Sequence, residues 1–213
     1  MHKLDRTSAQ RPACLDNYRH SRDTWDALTP LDRQQIRASL QQMQNDRCAY
    51  CEGEVFHKGH IEHFRRRHCF PHLTFDWDNL FLSCGAQGHC GHYKDHRNAL
   101  PYNPNDLIKP DVDDPDTFLY FHSSGEVRVR GGTSEAETHR AKETIRVFNL
   151  NYGRLTAERR ATLKIYRQSN PGILEELAQW DDQLRQDYIA EEIAANRNTP
   201  YVTVIRHFFE KVS

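Results

Sequence analysis

No apolar run in the sequence approaches membrane-spanning length, and its start, MHKLDRTSAQRPACL, lacks the hydrophobic centre of a secretion signal. The expected location is therefore cytoplasmic. An internal repeat and a low-complexity tract are both missing, which argues against a repeat array. Excess charge of either sign is missing too: Lys plus Arg number 29 against 30 Asp plus Glu, for a formal net charge of -1. Bulk basicity is thereby excluded as a basis for nucleic-acid binding, and any such site must be a local patch. The 28% charged and 37% hydrophobic residues are polar for a globular protein without reaching disorder. Helices with one apolar stripe give that balance. The 213 residues suffice for one large domain or two small ones.

What is present is concentrated in the stretch CAYCEGEVFHKGHIEHF, residues 48–64, and its continuation. Eight of the 13 histidines fall between His57 and His96. Six cysteines in a reducing compartment are expected as ligands or buried thiols, not as a disulfide framework. Cys48 and Cys51 form a C-x-x-C pair, and Cys84 and Cys90 form a second with five residues between them. Two such knuckles clamped by one tetrahedral ion make a structural zinc site. The stretched second loop leaves His89 as the alternative to Cys90. No βαβ pattern surrounds the C-x-x-C, which argues against a redox dithiol. Cys14 and Cys69 stand apart, and Cys69 is expected to be a small buried side chain.

The expected fold class is α+β and mostly helical. Residues 1–47 form an N-terminal helical arm, in which Thr29 caps a helix with Pro30 at its first position. Leu31, Ile36, Leu40 and Met43 form its apolar stripe, and Asn45 and Asp46 end it. Residues 48–97 are the cysteine- and histidine-rich core, with a short hairpin turning near Lys58-Gly59. Residues 98–133 are a proline- and aspartate-rich connector and a β-hairpin that turns at Ser123-Ser124-Gly125. Residues 134–213 are helical, punctuated at Pro171-Gly172 and Asn198-Thr199-Pro200. Leu177, Trp180, Leu184, Tyr188, Ile189 and Ile193 recur at helical spacing and are expected to be ordinary core faces.

Three phrases between and around the cysteine pairs carry chemistry: HIEHFRRR (60–67), FDWDNLFLSC (75–84) and CGHYKDH (90–96). A carboxylate-histidine pair, then an asparagine in W-x-N-L, then a cysteine followed by lysine, resembles the layout of HNH endonucleases with a ββα-metal fold. The nearest likeness is to the retron-associated HNH family, which includes the nuclease subunit of Septu anti-phage defence systems. RCAYCEG resembles its opening knuckle, DDPDTFLYFHSSGEV its hairpin, and AKETIRVFNLNYGRLTAERR its signature after the core.

Phosphodiester hydrolysis needs a water activated near neutral pH, for which histidine is suited, so His63 is the candidate general base. A hard divalent cation, Mg2+ or Mn2+, would be held by Glu62, and one or two protein ligands suffice for it. The resemblance implies that Asn79 braces the loop and orients His63, and that Lys94 is the family lysine. Arg65, Arg66, Arg67 and Lys94 are candidate phosphate contacts. One departure stands out. The family places a histidine or asparagine ligand directly after the last cysteine, where this chain has Gly91, so the second ligand is expected to be Asp95 or His92, with His96 following. His57, His60, His68 and His72 are expected to be structural.

The resemblance implies an endonuclease acting on DNA, or on tRNA or another RNA, as effector of anti-phage defence. It also implies an ABC- or SMC-like ATPase partner, and in a retron complex a reverse transcriptase with its DNA product. Phe208 and Phe209 are candidate docking residues on the C-terminal helices, with burial in the chain's own core favoured. The competing reading is a non-catalytic zinc-ribbon adaptor with a degenerate HNH site, for which Gly91 is the main support.

Overall fold

The structure, a computed structural model, describes residues 1–55 and 59–212. His57 and Lys58 lie outside the described residues, and with them the turn expected there. The class is α+β: seven helices and two small antiparallel sheets among the described residues.

Helix α1, Pro30–Gln44, starts as the local chemistry dictates. The Thr29 hydroxyl accepts from Asp32 N at 3.1 Å and Pro30 occupies the first turn. It ends where Asn45 turns left-handed, at φ 50°. Ile36, Leu40 and Met43 are buried, but Leu31 is 63% exposed because the first turn projects beyond the core. Residues 1–28 contribute only short 3-10 turns, at Arg6–Ser8, Ala13–Asn17 and Trp25–Ala27. Side chains fasten this segment: the Arg6 guanidinium donates to Trp77 O (2.8 Å) and Leu80 O (3.0 Å), pairs with Asp111 and stacks on Phe81.

Strand β1 (His60–His63) pairs antiparallel with β2 (Leu80–Ser83), with Glu62 opposite Phe81 and His63 opposite Leu80. The two-residue period puts His60 and Glu62 on one face and Ile61 and His63 on the other. Gln44 closes the sheet edge, accepting from Leu82 N at 2.7 Å and donating to Leu82 O at 2.9 Å. The short helix α2 (Cys90–Lys94) follows. Under it, Tyr50 stacks on Phe148 with ring centroids 4.0 Å apart, and Phe64 and Phe81 complete an aromatic centre.

The hairpin forms as expected: β3 (Leu119–Phe121) pairs with β4 (Val127–Val129). Gly125 makes the turn at φ +88°, and a Cβ there would fall 2.0 Å from Thr156 O, so no other residue fits. A Ser134–Glu137 capping box opens α3 (Glu135–Val147). Helices α4 (Gly153–Ser169), α5 (Ile173–Leu177), α6 (Asp182–Ala195) and α7 (Val202–Phe209) follow. Phe208 and Phe209 are buried in the core. The expected stripe over 177–193 is only half a core face: Leu177 is buried, but Leu184 is exposed and α6 buries none of its residues. That helix packs mainly on α7 and rides on the outside of the bundle.

Candidate functional site

Two knuckles bring Cys48, Cys51, Cys84 and Cys90 together, with their sulfurs all within 4.8 Å of one another and all buried. Cys48 N donates to Gly53 O (2.8 Å) and Glu52 N to Cys48 O (3.0 Å), a tight turn that Glu52 closes at φ +68°. A left-handed glutamate is strained, and three hydrogen-bond donors hold it: its carboxylate takes Thr203 N and Oγ1 from α7 and the Met1 amino group. Cys90 is also left-handed, at φ +60°, where its amide reaches Phe148 O at 2.8 Å.

Zinc–sulfur bonds of about 2.3 Å separate tetrahedral sulfurs by about 3.8 Å. Cys51 and Cys84 sulfurs are 3.9 Å apart, so the quartet fits a zinc ion. His89 does not replace Cys90; its Nδ1 lies 3.2 Å from the Cys90 sulfur and 3.5 Å from that of Cys84, as a neighbour of the donors. Crowding splits the thiols. Sulfur contacts to Cys48 and Cys51 pull Cys84 far down, while contact with Cys48 and burial push Cys51 and Cys90 up. Four sulfurs this close could share a cation. Cys69, by contrast, is exposed, on the turn after the arginine run.

Glu62 and His63 leave β1 on opposite faces. Glu62 is buried against Lys94, whose Nζ lies 2.7 Å from Glu62 Oε1, 2.7 Å from Asp95 Oδ1 and 3.0 Å from His63 O. Burial alone would raise the Glu62 carboxyl, but the Lys94 ammonium and the His60 imidazole outweigh it and hold it at about 2. Lys94 is itself buried, so it acts inward on this cluster and does not present its charge to solvent as a phosphate contact. The ion pair to Oε1 lacks hydrogen-bond alignment, and Glu62 Oε1 is left buried without a hydrogen bond, as is His60 Nδ1. Gly91 is part of the same packing: a Cβ there would sit 2.5 Å from Glu62 Oε2. The residue that departs from the family pattern is the one that makes room for the carboxylate.

The two candidate second ligands part company here. Asp95 is engaged by Lys94 and by Arg66 Nε at 2.9 Å. His92 stacks on His60 with centroids 4.0 Å apart, and His60 Nε2 is 3.5 Å from Glu62 Oε2. His96 turns elsewhere, its Nδ1 accepting from Asn98 N.

On the other face, His63 Nε2 meets the Thr74 carbonyl at 2.9 Å. A carbonyl only accepts, so Nε2 carries the proton and Nδ1 the lone pair. Burial pushes His63 down to about 4 against the pull of Thr74 and Glu62, so the ring is neutral at neutral pH. Trp25 packs edge-on to it at 4.4 Å. Asn79 ties the surroundings together: Oδ1 accepts from Arg65 N (2.8 Å), and Nδ2 donates to Arg65 O (3.1 Å) and Leu73 O (3.2 Å). It joins the end of β1 to the loop whose next carbonyl holds His63.

The three arginines diverge. Arg65 reaches Asn105 Oδ1 at 2.7 Å, and Arg66 pairs with Asp95 and lies over Tyr102. Arg67 is exposed over Trp25, without a carboxylate partner among the described residues. With Trp25, Thr74, Arg66, His68 and Asp95 it lines a cleft of about 470 Å³, whose far wall is His20, Asp23 and Thr24 of the N-terminal segment.

Sequence reasoning missed two residues. His60, expected to be structural, lies beside Glu62, as the two-residue strand period alone indicates. Trp25 gave none, because its contact with His63 spans 38 residues and is tertiary.

No family model matches the chain. It is similar to the Septu protein PtuB of Bacillus mycoides (strain KBAB4), at 25% identity over 170 residues, 68% of this chain and 56% of that protein. It is also similar to the Septu protein PtuB of Bacillus thuringiensis, at 26% identity over 119 residues, 54% of this chain and 41% of that one. The chain thus spans about half the length of the curated relatives it matches. The resemblance to PtuB stands on both.

Proposed function

We propose that this Septu-like chain is a metal-dependent HNH endonuclease that hydrolyses nucleic-acid phosphodiesters in anti-phage defence. The observation that carries the reading is His63: neutral, oriented by the Thr74 carbonyl, at the end of a strand whose previous residue is a buried carboxylate, and next to a cleft with Arg67 at its wall.

The residues fit a divalent cation as well as the zinc. Glu62 Oε1 and His60 Nδ1 are buried on one face of β1 without an aligned hydrogen bond, and Lys94 now supplies the positive charge that Oε1 faces. Glu62 and His92 would hold the ion, with His60 beside them: Glu62 and Asp95 share Lys94, but Asp95 is tied to Arg66 as well. A divalent cation held there would supply a Lewis acid for the phosphate, with carboxylate and imidazole straddling the end of β1 because Glu62 and His63 leave it on opposite faces.

The protein's own part follows from the geometry. Nδ1 of His63 accepts a proton from the attacking water, and Nε2 stays bonded to Thr74 throughout. Asn79 keeps that loop from shifting, and Trp25 restricts the ring. Arg67 is placed to meet a substrate phosphate. DNA is the expected substrate. RNA would follow if the same imidazole took the proton of a 2′-hydroxyl instead.

His63→Ala is the test. Its cleavage of plasmid DNA and of total tRNA with Mg2+ or Mn2+ should fall by about 10²–10⁴-fold, with zinc content unchanged. An unaltered rate removes His63 from the mechanism. Absence of cleavage by the native protein, even with its ATPase present, would favour the zinc-ribbon adaptor, in which Lys94 permanently neutralises Glu62. The Septu resemblance supports an ATPase partner of the PtuA type, whereas neither relative supports the reverse transcriptase.

A further inference from the structure

Most arginines of the C-terminal half sit beside a carboxylate: Arg128 with Glu126, Arg130 with Glu210, Arg140 with Asp113, Arg146 with Glu143, and Arg154 with Glu158. One face of α4 breaks that pattern. Arg160, Lys164 and Arg167 are exposed, and none has a carboxylate within ion-pairing distance among the described residues. Their i, i+4, i+7 spacing places them in one row about 10 Å long.

That row edges a groove of about 700 Å³ between α4, α5 and α7, with Leu163, Ile173 and Phe208 among the residues lining it. A single acid, Glu175, also lines it. Of the three, Arg167 packs over the Phe208 ring.

We propose that the groove docks an acidic amphipathic helix of a protein partner. Carboxylates at i, i+3 or i+4, and i+7 on one helix match the pitch of the cations on α4, and aliphatic side chains between them would face the groove. Complementary charge sets the register, speeds encounter and carries the recognition, because Leu163, Ile173 and Phe208 are each no more than 9% exposed and offer little apolar surface. Nucleic acid fits the groove less well. Bases bind single-strand sites by stacking on exposed aromatic faces, but Phe208 is 5% exposed and Arg167 already lies over its ring.

The identity of the partner rests on the functional reading above, which makes it the ATPase subunit. The test is co-expression with that ATPase and size-exclusion chromatography with light scattering. Wild type is compared with the triple variant Arg160→Glu/Lys164→Glu/Arg167→Glu, with the milder triple glutamine variant, and with Lys164→Glu alone. Circular dichroism checks that each folds. Wild type should elute as a complex, the triple glutamate variant should lose at least tenfold in affinity, and the other two should fall between. Cleavage by the chain alone should not change.

A complex that survives the triple reversal overturns the proposal, as does a wild-type chain that never binds the ATPase. Fluorescence anisotropy with a labelled single-stranded 30-mer provides the other arm. A tenfold loss of oligonucleotide affinity in the triple variant, with the complex intact, would assign the groove to nucleic acid. The His63→Ala result is read separately, so failure of the docking site and failure of the nuclease reading remain distinguishable.

Discussion

The β1–β2–α2 unit and helix α6 bury their residues in opposite ways. All four residues of β2 are buried, and Glu62, His63, Asn79 and Lys94 are buried with them. None of the 14 residues of α6 is, although its apolar residues recur at helical spacing. Residue type alone would leave Glu62, His63, Asn79 and Lys94 at the surface, yet all four are inside. Polar groups enter the first region because each finds a partner there: carboxylate with ammonium, imidazole with carbonyl, amide with backbone. The apolar side chains of α6 stay half-covered because the bundle closes on α7 before reaching them.

The comparison breaks most readily at the four-cysteine cluster, which could hold zinc. Structural zinc is worth about 10–16 kcal/mol in small peptides, so a strong chelator should unfold the core around the four cysteines. The near-UV circular dichroism of Tyr50 and Trp77 should collapse on metal removal, while helical signal at 222 nm falls by a smaller fraction. A core that keeps its near-UV spectrum without metal would mean the thiols hold together unaided.

Next comes Leu40→Ala, at a fully buried position on α1. It should cost about 2–5 kcal/mol in urea denaturation.

Asp116 offers a smaller, pH-dependent effect. Burial raises its carboxyl, but the hydrogen bond with His207 and the charge of Arg206 outweigh it, so the carboxyl sits below the ordinary 3.8. A carboxyl depressed on folding contributes stability that is present above the unfolded value and lost as pH falls through the folded one. Asp116→Asn should therefore cost about 1 kcal/mol near pH 7. The gap to wild type should close as pH falls from the ordinary carboxylate value of 3.8 through the lower folded one. A gap independent of pH would assign the effect to packing.

The smallest effect belongs to α6. Leu184, 51% exposed, should change stability by no more than about 0.5 kcal/mol when replaced by alanine. A larger loss in the chain alone would show that α6 is covered after all.

Features made by neighbours in the chain were legible in the residues. The Thr29-Pro30 start, the hairpin turn at Gly125 and the helix breaks at Pro171-Gly172 and Asn198-Thr199-Pro200 all rest on interactions within a few positions. The cysteine quartet was legible for a different reason: thiols in two close pairs have few uses besides a shared ion. Residues 1–28 misled, because their side chains fasten them to β2 and the 76–80 turn, contacts with no local periodicity. Lys94 misled too, since only the fold shows that its ammonium faces Glu62 and not solvent.

By itself the sequence determined two close cysteine pairs, the hairpin and the helix breaks of the C-terminal half, and the presence of a histidine beside a carboxylate, since these depend on residue type and short-range spacing. Tertiary structure alone decided that Trp25 packs on His63, that Gly91 opens space for Glu62, and that three cations on α4 are left without acids. Each of these joins segments far apart in the chain, and no local pattern encodes which distant surfaces a folded backbone presses together.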